Sequence, residues 1–177
     1  MSDKLLEIMP EFKEIRDAGL RDKAILVWTE AMKEGGWNFD DLEQMPFTLL
    51  IKSTGVNLVK HTLAVTRTAL GIAQVLAEAY QGKVPVNRDI LLTGALLHDV
   101  GKMFEYKREA GKFVQSEHGR LLRHPVSGAA FASRFGMPNE IIHIIAAHSK
   151  EGDGLRRTIE AIIVNHADFV NFDVLKD

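Results

Sequence analysis

The segment Gly94-Ala-Leu-Leu-His-Asp-Val-Gly-Lys102 places an imidazole and a carboxylate, His98 and Asp99, side by side at the end of an otherwise apolar run. Such a run belongs in a core. Removing both groups from water costs free energy that a bound cation would offset, and both side chains are common metal ligands. The chain contains no cysteine, which excludes disulfides, thiolate nucleophiles, iron–sulfur clusters and Cys-type zinc sites. The chemistry open to these residues is therefore that of a metal held on nitrogen and oxygen.

The helices needed to position further ligands follow from hydrophobic spacing. Leu5, Ile8, Met9, Phe12 and Ile15 recur at helical intervals, with a kink or fresh start at Pro10; Ala24 to Met32 forms a second apolar face stopped by Gly35-Gly36. Residues 1–50 are thus expected to make a helical N-terminal cap. From Trp37 to Thr54 the period is lost around Pro46, which predicts an irregular connection with room for a short helix. A long helix is expected from about Gly55 to Tyr80 with Thr54 as its cap, and another, capped by Asn87, leads to His98. Three more are expected over roughly Pro125 to Phe135, Pro138 to His148 and Leu155 to Phe172. No period-two alternation is strong enough for a sheet and no internal repeat occurs, so the expected fold class is all-α.

On these helices His61 shares a face with Leu58, Ala64, Val65 and Ile72, His148 with Ile141, Ile144 and Ile145, and Asp168 with Ala161 and Val164. His124 precedes Pro125, which biases it away from helical geometry and sets it at a helix start. A lone histidine on an apolar face is more often a hydrogen-bonded core residue than a ligand. Here three imidazoles and two carboxylates fall on inward faces, with His124 beside them, and the bland explanation would have to hold for all six. By contrast His118, in a polar Ser-Glu-His-Gly turn, and His143, on a face with Asn139 and Glu140, are expected in solvent. His166, two positions before Asp168, should point elsewhere and serve packing or hydrogen bonding.

With 177 residues and 46% hydrophobic content the chain suits one domain, residues 1–177, with a sizeable core. A net charge of −2 provides no basic field for a nucleic-acid backbone but admits a small phosphorylated ligand. The N-terminus lacks a signal-peptide pattern, and no apolar run approaches the ~18 residues of a membrane helix, so a soluble, cytoplasmic protein without a membrane partner is expected.

Taken in order, His61, His98-Asp99, His124, His148 and Asp168 resemble the metal-binding pattern of the HD superfamily of metal-dependent phosphohydrolases, over roughly residues 55–172. The pair alone is weak; His-Asp-Val-Gly-Lys at a helix end, a downstream His-Pro and a final His-Ala-Asp together are specific. The resemblance implies a single HD-domain helical bundle behind the N-terminal cap. It also implies that His61, His98, Asp99 and Asp168 hold one metal and, as in dinuclear members, that His124 and His148 hold a second with Asp99 bridging. One or two divalent ions of iron, manganese, cobalt, nickel or zinc suit these ligands, and magnesium suits them less well.

The implied activity is hydrolysis of a phosphomonoester or phosphodiester, of a nucleotide or another small phosphorylated molecule, by a metal-activated water. Asp99 and Lys102 are the catalytic candidates: Lys102 matches a lysine that follows the pair in many relatives and could neutralise a substrate phosphate, although a solvated lysine beyond a helix end is the simpler alternative. Arg123, Arg156 and Arg157, with Arg120, are phosphate-contact candidates by nearness in sequence. Ser53 and Thr54 could touch ligand from the irregular connection. Two other functions fit the same residues: a mixed-valent di-iron oxygenase like myo-inositol oxygenase, and a non-catalytic nucleotide-sensing module.

Within the superfamily, the Ser-Lys-Glu-Gly-Asp-Gly that follows His148 lacks the second histidine and the Gly-Tyr-Pro element of the cyclic-di-GMP phosphodiesterases, which disfavours that assignment. Gly119 to Gly128 is similar to the corresponding segment of HD domains attached to bacterial exoribonucleases, but without a basic surface RNA is not carried over as substrate.

Overall fold

Helix α5 (Arg88–Leu97) is buried on every side from Leu91 onward. The computed structural model describes residues 2–51 and 54–176; Ser53 lies outside them. Asn87 caps α5 as expected, its side chain accepting from the Asp89 and Ile90 amides at 3.1 and 3.2 Å. α4 (Leu58–Ala79), α9 (Asn139–Ala147) and α10 (Ile159–Asp173) pack against α5, and Val65, Leu91, Ile144 and Val164 share one apolar cluster.

The N-terminal cap is helical: α1 (Ser2–Ile8), a single 3-10 turn starting at Pro10, and α2 (Ala18–Glu34), which ends at Gly35. Its core residues Phe12, Trp28 and Met32 join the same cluster as Leu92, Leu96 and Val100. Two indoles fix the docking, because Trp28 Nε1 donates to the Leu96 carbonyl at 2.8 Å and Trp37 Nε1 to the Met103 carbonyl at 2.7 Å. A short α3 (Phe39–Gln44) with an Asn38–Asp41 capping box lies inside the connection, as anticipated.

Two expectations are corrected. The cap of α4 is Asn57, which accepts from the Lys60 amide at 2.8 Å; Thr54 instead closes a local turn by accepting from the Val56 amide at 3.2 Å. The backbone pairs Leu58 N to Met45 O (2.8 Å) and Phe47 N to Val56 O (3.4 Å) bring residues 45–47 against 56–58, so the helix starts later than a Thr54 cap would place it. In addition, a small hairpin joins β1 (Tyr106–Glu109) to β2 (Lys112–Gln115) after a short α6 (Lys102–Glu105). Its Ala110-Gly111 turn has φ of +48° and +77°, as in a two-residue hairpin loop. Four-residue strands with largely exposed side chains leave too few positions for an alternation to register, and Ala-Gly lacks the Asn or Asp that announces such a turn.

Past a one-turn α7 (Glu117–Leu121), α8 (His124–Ser133) begins one residue before the predicted Pro125, and α10 begins at Ile159 under a Thr158 cap rather than at Leu155. The start of α8 is pressed against the turn after Asp99. A Cβ on Gly101 would lie 2.0 Å from the His124 carbonyl oxygen and 2.7 Å from the Gly128 amide nitrogen. The obstruction is backbone on both sides and cannot rotate away. Among the described residues no helix is long and apolar enough to cross a membrane.

Gly101→Ala should therefore lower the unfolding free energy by about 1–3 kcal/mol, whereas Gly71→Ala, in α4 with open space around it, should raise it by about 0.5–1 kcal/mol. Urea unfolding of both variants beside the parent chain checks the pair, and equal effects would contradict the close approach.

Candidate metal centre

Five helices deliver the ligand-type side chains to one place. His61 comes from the first turn of α4, His98 and Asp99 from the end of α5, His124 from the start of α8, His148 from the end of α9 and Asp168 from the third turn of α10. His61, His98, Asp99, His124 and His148 are buried, while the Asp168 side chain is 16% exposed.

The Asp99 carboxylate lies at the centre and its two oxygens face different partners. Oδ2 is 3.4 Å from His98 Nε2 and 3.6 Å from His61 Nε2. Oδ1 is 3.3 Å from His124 Nε2 and 3.7 Å from His148 Nε2. On the first side Asp168 Oδ1 closes the group at 2.9 Å from His61 Nε2 and 3.9 Å from His98 Nε2. On the second, His124 Nε2 and His148 Nε2 are 3.3 Å apart. With metal–ligand bonds of about 2.0–2.2 Å, neighbouring donor atoms of one coordination shell are separated by roughly 3–3.6 Å, and these spacings fall close to that range. His98, Asp99 and His148 also offer donor atoms within 4.8 Å of one another, so His98 borders both groups.

Hydrogen bonds on the far side of three rings turn Nε2 inward. His98 Nδ1 is 2.6 Å from the Ala95 carbonyl oxygen, His148 Nδ1 is 2.8 Å from that of Ile145, and His124 Nδ1 is 2.7 Å from Glu105 Oε2. With Nδ1–H donating to these oxygens, each Nε2 carries a lone pair directed at Asp99. Among the described residues His98 Nε2 is a buried polar atom without a hydrogen-bond partner. A cation supplies what it lacks, and the donor set fits one.

The electrostatics favour the same occupant. Burial alone would raise the Asp99 carboxyl, but Lys102 and His98 outweigh it and hold the group well below the usual carboxylate range. Asp168 behaves alike: burial opposes ionisation, yet the bond to His61 and the charges nearby bring it down to about 2. Burial dominates at His61 and His124 and lowers both, which keeps them neutral and able to coordinate. His98 is raised, because Asp99 and Asp168 outweigh its burial; their field favours positive charge at that point.

His61, Asp99, His124 and Asp168 line a cavity of about 790 Å³. Lys102 lines it and is buried, its ammonium 2.6 Å from Asp99 Oδ2 and donating also to the Phe47 carbonyl. It begins α6 and is not the solvated lysine of the simpler alternative. Arg123 lines the cavity too, held by Glu105 at 2.6 Å and Glu151 at 3.1 Å. Arg156, exposed, and Arg157 are not among its walls. The Arg157 guanidinium turns back to the Ala147 carbonyl (2.7 Å) and the Ser149 carbonyl (3.0 Å), closing the C-terminal end of α9. Arg120 is likewise exposed and outside the cavity. Nearness in sequence to His148 and His124 did not give the direction of these side chains. His118 and His166 are exposed as expected, whereas His143 is half-buried and its Nε2 accepts from the Thr158 amide at 3.3 Å.

Glu105 was not singled out from the sequence. It accepts from the His124 ring, from the His124 backbone amide at 2.7 Å and from Arg123, and so fixes the orientation of His124. A ligand histidine commonly leans on such a carboxylate, but nothing in the sequence says which of 24 acidic residues supplies it. Phe47 was also missed; its ring stacks on His61 with centroids 4.4 Å apart.

The HD-domain family model matches residues 58–171. A dihydroneopterin 2′,3′-cyclic phosphate phosphodiesterase of Methanocaldococcus jannaschii is 40% identical over 113 residues, 63% of this chain and 44% of that protein. Ribonuclease Y of Chloroflexus aurantiacus is 34% identical over 119 residues, 67% of this chain and 19% of that protein. Ribonuclease Y of Acidothermus cellulolyticus is 29% identical over 119 residues, 67% and 20% respectively. The chain thus spans less than half the length of these relatives. No solved structure matches significantly.

Glu105→Gln keeps the shape of the side chain and removes the charge behind His124. Its affinity for manganese or iron should fall by about tenfold to a hundredfold with the fold intact, as read by calorimetric titration of the apoprotein beside circular dichroism. Arg157→Ala should leave metal affinity in place and lower the unfolding temperature alone.

Proposed function

Because this chain belongs to the HD-domain family, we propose that it is a metal-dependent phosphohydrolase that holds two divalent transition-metal ions and cleaves a phosphoester of a small molecule. The observation that carries this reading is Asp99, whose two oxygens face His61 and His98 on one side and His124 and His148 on the other, at the end of a cavity that also contains a buried ammonium. His61, His98, Asp99 and Asp168 would hold one ion, and His124, His148 and Asp99 the other. When bound, the ions supply Lewis acidity toward phosphoryl oxygens and lower the pKa of the attacking water.

The remaining work falls to the chain. Lys102 is kept charged because Asp99 outweighs the effect of its burial, and it can accept the negative charge that builds on a phosphoryl oxygen. Arg123, with its guanidinium set between Glu105 and Glu151, presents a fork of donors at the cavity wall and can orient a phosphate. Glu105 keeps the His124 imidazole turned inward. Phe47, fully buried over His61, and Tyr106, whose phenol burial pushes up to about 12, line the cavity beside the ligands and provide no competing base. Arg156 and Arg157 have no part in this reading.

The cyclic phosphodiester named for the M. jannaschii relative makes a small cyclic phosphate the first substrate to test. The ribonuclease relatives are several times longer than the stretch they share with this chain, and its net charge of −2 suits a small substrate better than RNA. We also take residues 1–177 as one domain, since the N-terminal helices share one apolar cluster with α4, α5, α8 and α9, and α10 packs on α4 and α5.

Metal-replete protein assayed against phosphomonoesters, 2′,3′-cyclic phosphates and linear diesters should hydrolyse at least one class, and Asp99→Ala should lower that rate by at least about a hundredfold. Inactivity across the set would overturn the reading; a coupled iron signal by electron paramagnetic resonance after partial oxidation would then favour the oxygenase. Elemental analysis should find about two ions per native chain, almost none in Asp99→Ala and about one in His124→Ala. Chelation should lower the unfolding temperature of the native protein and restoring metal should raise it again.

A further inference from the structure

Beside the ligand cluster the cavity has a set of apolar lining residues, most of them outside the residues that match the family model. Leu49, Leu50 and Ile51 form one wall, from the loop before α4, and Phe169 and Phe172, three residues apart on α10, form another. Only Phe169 falls within the matched residues 58–171. The matched residues supply the six ligand-type side chains, while Leu49, Leu50, Ile51 and Phe172 lie outside those bounds.

These side chains are not consumed by the core. Phe12 and Phe47 are fully buried, whereas Phe169 and Phe172 remain half-buried, and Leu50 is 75% exposed. Phe172 is held in place by an edge-on contact with Phe47, centroids 6.0 Å apart at 75°, and by the Lys176 ammonium 4.6 Å over its ring. Phe47 in turn stacks on His61, so the aromatic wall continues directly from the ligand cluster. Gln115, Ser149 and Lys150 add hydrogen-bonding groups to the same cavity. Its volume, about 790 Å³, is far more than a phosphoryl group fills and lies within the range of sites for whole small molecules.

We propose that the Leu49–Ile51 loop and the Phe169–Phe172 face of α10 form a specificity subsite for a flat heteroaromatic ring carried by the substrate, next to the phosphoester being cleaved. Aliphatic and aromatic groups bordering one cavity suit a planar ring, and polar neighbours suit the nitrogen and oxygen atoms at its edge. A purely aliphatic chain would leave those polar groups without partners. The proposal rests on the phosphohydrolase reading for its reaction, but not for its binding.

The test uses metal-replete full-length protein and pairs of esters that differ only in the ring: adenosine, guanosine and uridine 2′,3′-cyclic phosphates against methyl riboside 2,3-cyclic phosphate, and the matching 5′-monophosphates against ribose 5-phosphate. At least one ring-bearing member should be preferred by about tenfold or more in kcat/KM. Leu50→Ser and Phe172→Leu should each reduce that preference through KM, while Val75→Ser, on an exposed part of α4 remote from the cavity wall, should not. Equal turnover with and without the ring, or a preference untouched by both variants, would overturn the proposal. If no ester is cleaved, the reaction assignment fails and the subsite is judged by calorimetry with the same nucleotides. Saturable binding weakened by Leu50→Ser and Phe172→Leu would sustain it, and absence of binding would overturn it.

Discussion

A carboxylate that is 1% exposed cannot remain ionised in a protein interior without compensating charge, and Asp99 imposes that condition on everything around it. Lys102 supplies one positive group at 2.6 Å. Four imidazoles surround the rest of the carboxylate, with their nitrogens 3.3 to 3.7 Å away. Each must arrive from a different helix at a fixed angle, and the packing of those helices reflects it. Gly94 lets α5 approach α9, since a Cβ there would strike Ile144 at 2.5 Å, and Gly101 lets the start of α8 come against the turn. Small residues flank the pair because the backbone carrying His124 has to pass within contact distance of the backbone carrying Asp99.

Much of this was legible in the chain. Helical periodicity located α5, α8 and α9 to within a few residues and found α2 while placing its start six residues late, and the inward placement of His61, His148 and Asp168 followed from their apolar neighbours at helical spacing. What the sequence could not convey was orientation off the helices and partnership across them. Arg156 and Arg157 are adjacent to the site in number but are directed by local geometry, toward solvent and toward the end of α9. Glu105 matters because His124 lies beside it in space, 19 residues away in sequence. The α4 start was misplaced because Thr54 and Asn57 are both good caps, and only the pairing of residues 45–47 with 56–58 decides between them. The hairpin escaped notice because its strands are too short to show a period.

The cavity joins two parts under different constraints. Its ligand-bearing end draws on helices that match the family, where spacing is constrained by coordination geometry and tolerates little change. Its opposite wall comes from a loop and a helix end, places where chains accept substitution and insertion readily. Such a division lets one hydrolytic centre accept new substrates by changing a few side chains at the margin, without disturbing the helix packing that holds Asp99.

The indole bonds of the N-terminal cap carry one more consequence. The chain has two tryptophans, and their ring nitrogens bond to the carbonyls of Leu96 and Met103, backbone groups on either side of the His-Asp pair. Nearly all intrinsic fluorescence thus originates from two emitters attached to the peptide segment that carries the ligands. Any shift of that segment changes the hydrogen bonding of an indole, giving the protein an internal optical gauge of its own centre that needs no label.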